Sequence, residues 1–110
     1  MISDISSTDT FHDLIASERV VLADFYAQWC EPCKWLDLIL EAVDNDITEP
    51  VTILKIDIDK QPELTDEFEI KSVPVLIVFL DQKLVWRMNG FLSKHDLIAK
   101  LEAISRGTGG

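Results

Sequence analysis

Cysteine is nearly missing from this chain: 110 residues hold two, Cys30 and Cys33. Two thiols cannot build the disulfide framework of a small secreted scaffold. They also supply only half of the tetrahedral shell of a zinc or iron–sulfur site, so a metal would need a dimer sharing ligands, and none is expected. The two histidines, His12 and His95, sit far apart at helix starts with no ligand cluster around them. Basic residues are scarce too, 10 Lys and Arg against 20 Asp and Glu, for a formal charge of −10. Nucleic acid and anionic membrane both reward the opposite sign, so neither is an expected partner. No apolar run approaches the ~18 residues of a membrane span. Met1-Ile2-Ser3-Asp4-Ile5 lacks the basic region and apolar stretch of a secretory signal. There is no internal repeat and no linker.

What is present is a core. With 47% hydrophobic and 27% charged residues, the chain reads as one globular domain over 1–105, followed by a flexible tail over 106–110. Val20 to Ala27 is an almost continuous apolar, β-branched run, the pattern of a central strand covered on both faces. Asp24 interrupts it and is conspicuous for that reason. Leu36, Ile39, Leu40, Val43 and Ile47 follow at helical spacing, while Trp35, Leu38 and Ala42 widen the apolar arc beyond what a surface helix needs. Val51 to Asp57 is a second strand, which completes a βαβ unit and makes the two strands parallel. A short acidic helix starts at Pro62. Val75 to Leu80 and Lys83 to Met88 read as an antiparallel hairpin whose turn, Asp81-Gln82, lacks the usual glycine. A short edge strand at Ile2 to Ile5, an N-terminal helix with capping-box spacing at Thr10 to Asp13, and a last helix capped at Ser93 complete the pattern. The fold class is α/β: a central mixed sheet of four or five strands flanked by helices on both faces.

The chemistry concentrates at Trp29-Cys30-Glu31-Pro32-Cys33-Lys34, where the first long strand gives way to a helix. Residues at i and i+3 in a first helical turn share a face and can close an unstrained disulfide. The unsatisfied N–H groups and partial positive charge of a helix N-terminus favour a thiolate over a thiol. Pro32 fits there because the first turn has no use for its missing N–H. In a chain without a secretory signal, a Cys-x-x-Cys beside a βαβ unit reads as a redox motif in a reducing, cytoplasmic setting.

The stretch from Val21 to Lys34 resembles the active-site strand and motif of the thioredoxin family. Lys55, Ser72-Val73-Pro74 and Asn89-Gly90 follow in family order, so the resemblance runs from about Phe11 to Ile104. It implies a thioredoxin-like fold and a protein-disulfide reductase that cycles a Cys30–Cys33 dithiol and disulfide with no bound cofactor. By the same resemblance Cys30 is the nucleophile, Cys33 the resolving thiol, Asp24 a buried acid–base group and Lys55 its moderator. Trp29, Val73, a cis Pro74, Gly90 and Phe91 would form the substrate-binding edge. The implied partners are disulfide-containing clients and a flavin- and NADPH-dependent thioredoxin reductase, with the protein a monomer.

Departures from the family pattern matter as well. Glu31 stands where the motif commonly has glycine, and a carboxylate beside Cys30 opposes the thiolate, so Glu31 and Pro32 are the expected redox-tuning positions. Tyr26 replaces a frequent Trp, Leu38 a helix-kinking Pro and Gln82 a turn Gly. Two alternatives stay open on sequence: a specialised relative serving one client or acting as oxidant or isomerase, and a binding module that uses the fold without the thiols.

Overall fold

The computed structural model describes residues 1–107, and the residues after Gly107 in the expected tail lie outside those described. In chain order the elements are β1 (Ile2–Asp4), α1 (Thr8–Ser17), β2 (Val20–Tyr26), α2 (Glu31–Asp46), β3 (Thr52–Asp57), α3 (Pro62–Glu67), β4 (Val75–Leu80), β5 (Lys83–Asn89) and α4 (Lys94–Ser105). The strands form one five-stranded sheet in the order β1-β3-β2-β4-β5. β1, β3 and β2 run parallel; on the far side of β2, β4 pairs with it antiparallel and β5 pairs antiparallel with β4. This is the mixed sheet expected from the sequence, and its central strand is the one that leads into the Cys-x-x-Cys motif.

Alternation along β2 divides the core. Val21, Ala23 and Phe25 pack with Phe11 and Ile15 of α1 and Leu64 of α3 on one face. Val20 and Leu22 pack with Leu36, Leu40 and Val43 of α2 and Leu97, Leu101 and Ile104 of α4 on the other. Both faces of β2 are therefore buried, which is why its sequence is apolar without alternation. Asp24 falls on the α2 side of that alternation and is fully buried.

Three local details fill in what the sequence pattern left open. Of the hydroxyl residues that could cap α1, Ser7 does so: its Oγ accepts from the Thr10 N–H at 3.1 Å. Arg106, placed in the tail on sequence, is the C-cap of α4, with its N–H on the Glu102 carbonyl and its guanidinium near Glu49 and Glu102. The β4–β5 turn has both central residues in the left-handed region, Asp81 at φ 49° and Gln82 at φ 73°. That is the backbone a two-residue hairpin needs, adopted here without glycine. The turn is held from outside: the Asp81 N–H donates to the Arg19 carbonyl at 2.9 Å, and the Gln82 side chain donates to the Ala16 carbonyl at 3.4 Å.

Candidate active site

β2 ends at Tyr26, and the chain turns once before α2 begins. The Cys30 N–H donates to the Ala27 carbonyl at 3.2 Å, closing that turn and setting Cys30 as the N-cap of α2. Pro32 occupies the first turn of the helix, where it displaces no intrahelical bond. Cys30 and Cys33 are joined by a disulfide with Cα atoms 5.3 Å apart, and the Cys33 N–H donates to Cys30 Sγ at 3.2 Å. A sulfur that accepts a helix N-terminal N–H is one whose negative charge that N–H stabilises after reduction. Cys30 is the more exposed of the pair, at 5% against 2%. The disulfide thus presents only an edge, set among Ala27, Tyr26, Ile58 and Val73.

That set includes one predicted site residue, Val73, and one that the sequence did not reveal, Ile58. The Val73–Pro74 peptide is cis, and β4 starts at the next residue, Val75. Gly90 donates its N–H to the Pro74 carbonyl at 2.8 Å and has φ 113°, which requires glycine there. No atom comes within 4 Å of where a Gly90 Cβ would be, so the position is open rather than crowded by its own fold. Phe91, the next residue, is half-buried and packs in part against the α2–α4 core.

Trp29 is 69% exposed beside the disulfide. Its indole Nε1 donates to Asp59 Oδ2 at 2.9 Å, so an apolar ring is held at the surface by one polar tie. Glu31 and Lys34 are both exposed and form an ion pair one helical turn apart, with Lys34 Nζ 3.6 Å from Glu31 Oε2. The Glu31 charge near Cys30 is thereby partly offset.

Beneath the motif lies a group of charged residues on the α2 side of the sheet. Asp24 and Lys55 are register partners on β2 and β3. Neither carboxylate oxygen of Asp24 has a hydrogen-bond partner. Burial raises its pKa to about 7; Lys55 acts against that shift, while Asp37 and Asp4 add to it. Lys55 Nζ lies 2.6 Å from Asp37 Oδ1, as an ion pair without the angles of a hydrogen bond, and 4.5 Å from the centre of the Tyr26 ring. The Tyr26 hydroxyl donates to Asp4 Oδ1 at 3.2 Å. Burial first and the Asp4 carboxylate second push that hydroxyl's pKa up, so it stays protonated. A cavity of about 330 Å³ lined by Ile2, Asp4, Asp37, Leu40, Glu41 and Lys55 opens beside this group.

Sequence reasoning identified Asp24 and Lys55 but not Asp37 or Asp59. Along the sequence Asp37 is only a charged residue between Leu36 and Leu38, and its meeting with Lys55 depends on how α2 lies over β3. Among the described residues, no group of three or more His, Cys, Asp or Glu could hold a metal ion. Nor is any helix among them long and apolar enough to cross a membrane.

Comparison with known proteins points one way. The family model described as Thioredoxin matches residues 3–103. A thioredoxin of Chlamydia muridarum is 47% identical over 94 residues, covering 86% of this chain and 90% of that protein. The bifunctional thioredoxin reductase/thioredoxin of Mycobacterium leprae is 33% identical over 101 residues, which are 92% of this chain and 22% of that protein. Among solved structures, a mutant thioredoxin from Halobacterium salinarum superposes with a TM-score of 0.86 at 28% identity, covering 94% of this chain and 90% of that one.

Proposed function

The chain belongs to the thioredoxin family and is a protein-disulfide reductase working through Cys30 and Cys33; on that premise we propose the following division of labour within its site. The redox centre is the protein's own disulfide. In the reduced state the Cys30 thiolate attacks a client disulfide. The client S–S bond breaks, a mixed disulfide to Cys30 forms, and the released client sulfur takes up a proton. Cys33 then attacks Cys30 Sγ, which frees the second client sulfur and restores the Cys30–Cys33 bond. Two electrons pass from this chain to the client.

One observation supports Asp24 as the group that takes the Cys33 proton. It is a fully buried carboxylate with no hydrogen-bond partner and a pKa of about 7, so both protonation states are available near neutrality. A hydrogen-bonded core aspartate would have neither property. Lys55 limits the shift of Asp24 by its charge. Trp29, Val73, Pro74 and Gly90 form the face that a client segment lies against, with Trp29 as the apolar platform. Phe91, half-buried next to Gly90, extends this face. Glu31 and Pro32 set the local charge and geometry of Cys30.

We place the protein in the cytoplasm as a monomer that is recharged by a flavin- and NADPH-dependent thioredoxin reductase. The relative in which a thioredoxin reductase and a thioredoxin are one chain supports that pairing of activities. The test is NADPH-coupled turnover of a disulfide client with a thioredoxin reductase, run beside a redox titration. Turnover with a potential near about −270 mV fits a general reductant, whereas a value near about −180 mV would mark an isomerase-like oxidant. A reducing potential without turnover would point to a single private partner.

A further inference from the structure

Lys55 is the nearest cation to Asp24 along the sheet, yet it gives Asp24 no hydrogen bond. Its ammonium is committed elsewhere, 2.6 Å from Asp37 on α2 and against the Tyr26 ring on β2. The Asp37 side chain is 41% exposed and that of Lys55 17%, so the pair lies on the solvent side of the fully buried Asp24. The cavity lined by Asp4, Asp37, Glu41 and Lys55 opens at the same place. A lysine free to swing back would pair with Asp24, hold it ionised and make it a poor proton acceptor.

We propose that Asp37 is a positioning residue for the resolving step: it anchors the Lys55 ammonium away from Asp24 and leaves Asp24 unpaired to take the Cys33 proton. The inference rests on the reading of Asp24 as the proton acceptor. In the mixed disulfide the Cys33 S–H proton passes to the Asp24 carboxylate, and the sulfur's electron pair attacks Cys30 Sγ. The bond from Cys30 to the client sulfur breaks, and that sulfur leaves with the pair as a thiolate. Cys33 is oxidised to the disulfide level that Cys30 already holds, the client sulfur is reduced, and Asp24 then returns its proton to solvent.

Four elements bring charged or titratable groups toward Asp24. β3 brings Lys55, α2 brings Asp37, β1 brings Asp4 and β2 brings Tyr26. β4 places the apolar Leu76 opposite Asp24, and α4 brings Leu97 and Leu101 to the same core. Asp37 acts on Asp24 twice, directly as a like charge and indirectly through Lys55, and both effects keep Asp24 protonated to higher pH.

The test is the titration of the Asp24 carboxyl by carbon NMR, together with the single-turnover rate of mixed-disulfide resolution on a disulfide-bonded peptide between about pH 5 and 9. Asp37→Asn is expected to move both the Asp24 midpoint and the acid limb of the rate profile to lower pH, by about one pH unit. Asp37→Glu, which keeps the charge within reach of Lys55, should restore both. A merely structural Asp37 would change the rate without moving the midpoint, and an unmoved or raised midpoint overturns the proposal. Asp24→Asn separates the two levels. If it leaves the wild-type profile intact, the acceptor reading fails and the Asp37 role falls with it. If it flattens the profile while Asp37→Asn leaves the midpoint alone, only the Asp37 role fails.

Discussion

Asp24 and Asp57 are buried carboxylates on adjacent strands, and they differ in their partners: Asp57 accepts three hydrogen bonds and Asp24 accepts none. Asp57 receives the Gln28 side chain at 3.1 Å and the N–H groups of Asp59 and Lys60 at 2.9 and 3.3 Å. It ties the end of β3 to the loop that carries Asp59, the anchor of Trp29. Asp24 has burial without compensation. A buried carboxylate left unpaired works against stability, and a pKa near neutrality is what a proton-handling role requires.

Asp24 should therefore leave a signature in the pH dependence of folding. Its folded pKa of about 7 lies above the ordinary 3.8. Its contribution to stability is fully present below pH 3.8 and is lost as the pH rises through 7. The loss is on the order of 1.4 kcal/mol per pH unit across that window, a few kcal/mol in all. Asp24→Asn should be more stable than the parent at pH 8 and lose this slope, although the unpaired amide will cancel part of the gain. Denaturant titrations of the oxidised protein at pH 5 and pH 8 measure it, and a parent slope retained in Asp24→Asn would contradict the burial account.

The two cysteines should fail differently. Cys30→Ser is expected to lower client reduction to background, since it removes the attacking sulfur. Cys33→Ser should still attack and then stall, accumulating a one-to-one mixed disulfide through Cys30 that mass spectrometry reads as added client mass. The reverse pattern, trapping in Cys30→Ser, would exchange the assigned roles.

How much of this was legible before the structure follows from where each signal resides. β2, β3 and β4 were readable because burial on both faces leaves an uninterrupted apolar run, and Asp24 stood out against that background. The motif's position at a strand–helix junction was readable for the same reason. Asp57 was missed because a polar residue ending a strand looks like an ordinary boundary, although the following Asp59 and Lys60 N–H groups are the usual targets of such a side chain. Asp37 was not legible: its meaning depends on the lie of α2 over β3, and no local pattern encodes that contact.

Gln82 offers a test of backbone strain far from the chemistry. At φ 73° a residue with a Cβ sits in a region that glycine occupies freely. Asp81, at φ 49°, is the more tolerated type there. Gln82→Gly gives up a side-chain bond of 3.4 Å to the Ala16 carbonyl, a weak one, and relieves the strain. The expected gain is about 1 kcal/mol, net of the extra unfolded-state entropy of glycine. Thermal unfolding should rise by several degrees with reductase activity unchanged. A fall in melting temperature would mean that the Ala16 contact outweighs the strain.

Glu31 is the departure most directly tied to the potential, and the structure reduces the size of its expected effect. Its carboxylate stands in the first turn of α2, next to the sulfur that must carry negative charge, and there it disfavours the thiolate and the reduced state. It is also 73% exposed and paired with Lys34, so solvent and the ammonium both screen it. The net influence should fall below about 1 kcal/mol, or on the order of 20 mV for a two-electron couple. Glu31→Gln keeps the shape, removes the charge and releases Lys34 as an unpaired cation, and each change favours the thiolate. The Cys30 pKa should fall and the potential should rise slightly toward the oxidising side. The difference from the parent should shrink as ionic strength increases, because the charges involved are exposed. Thiolate absorbance against pH and a glutathione redox titration at low and high salt would measure these changes. A potential that moved to more negative values in Glu31→Gln would show that Glu31 acts on Cys30 by something other than its charge.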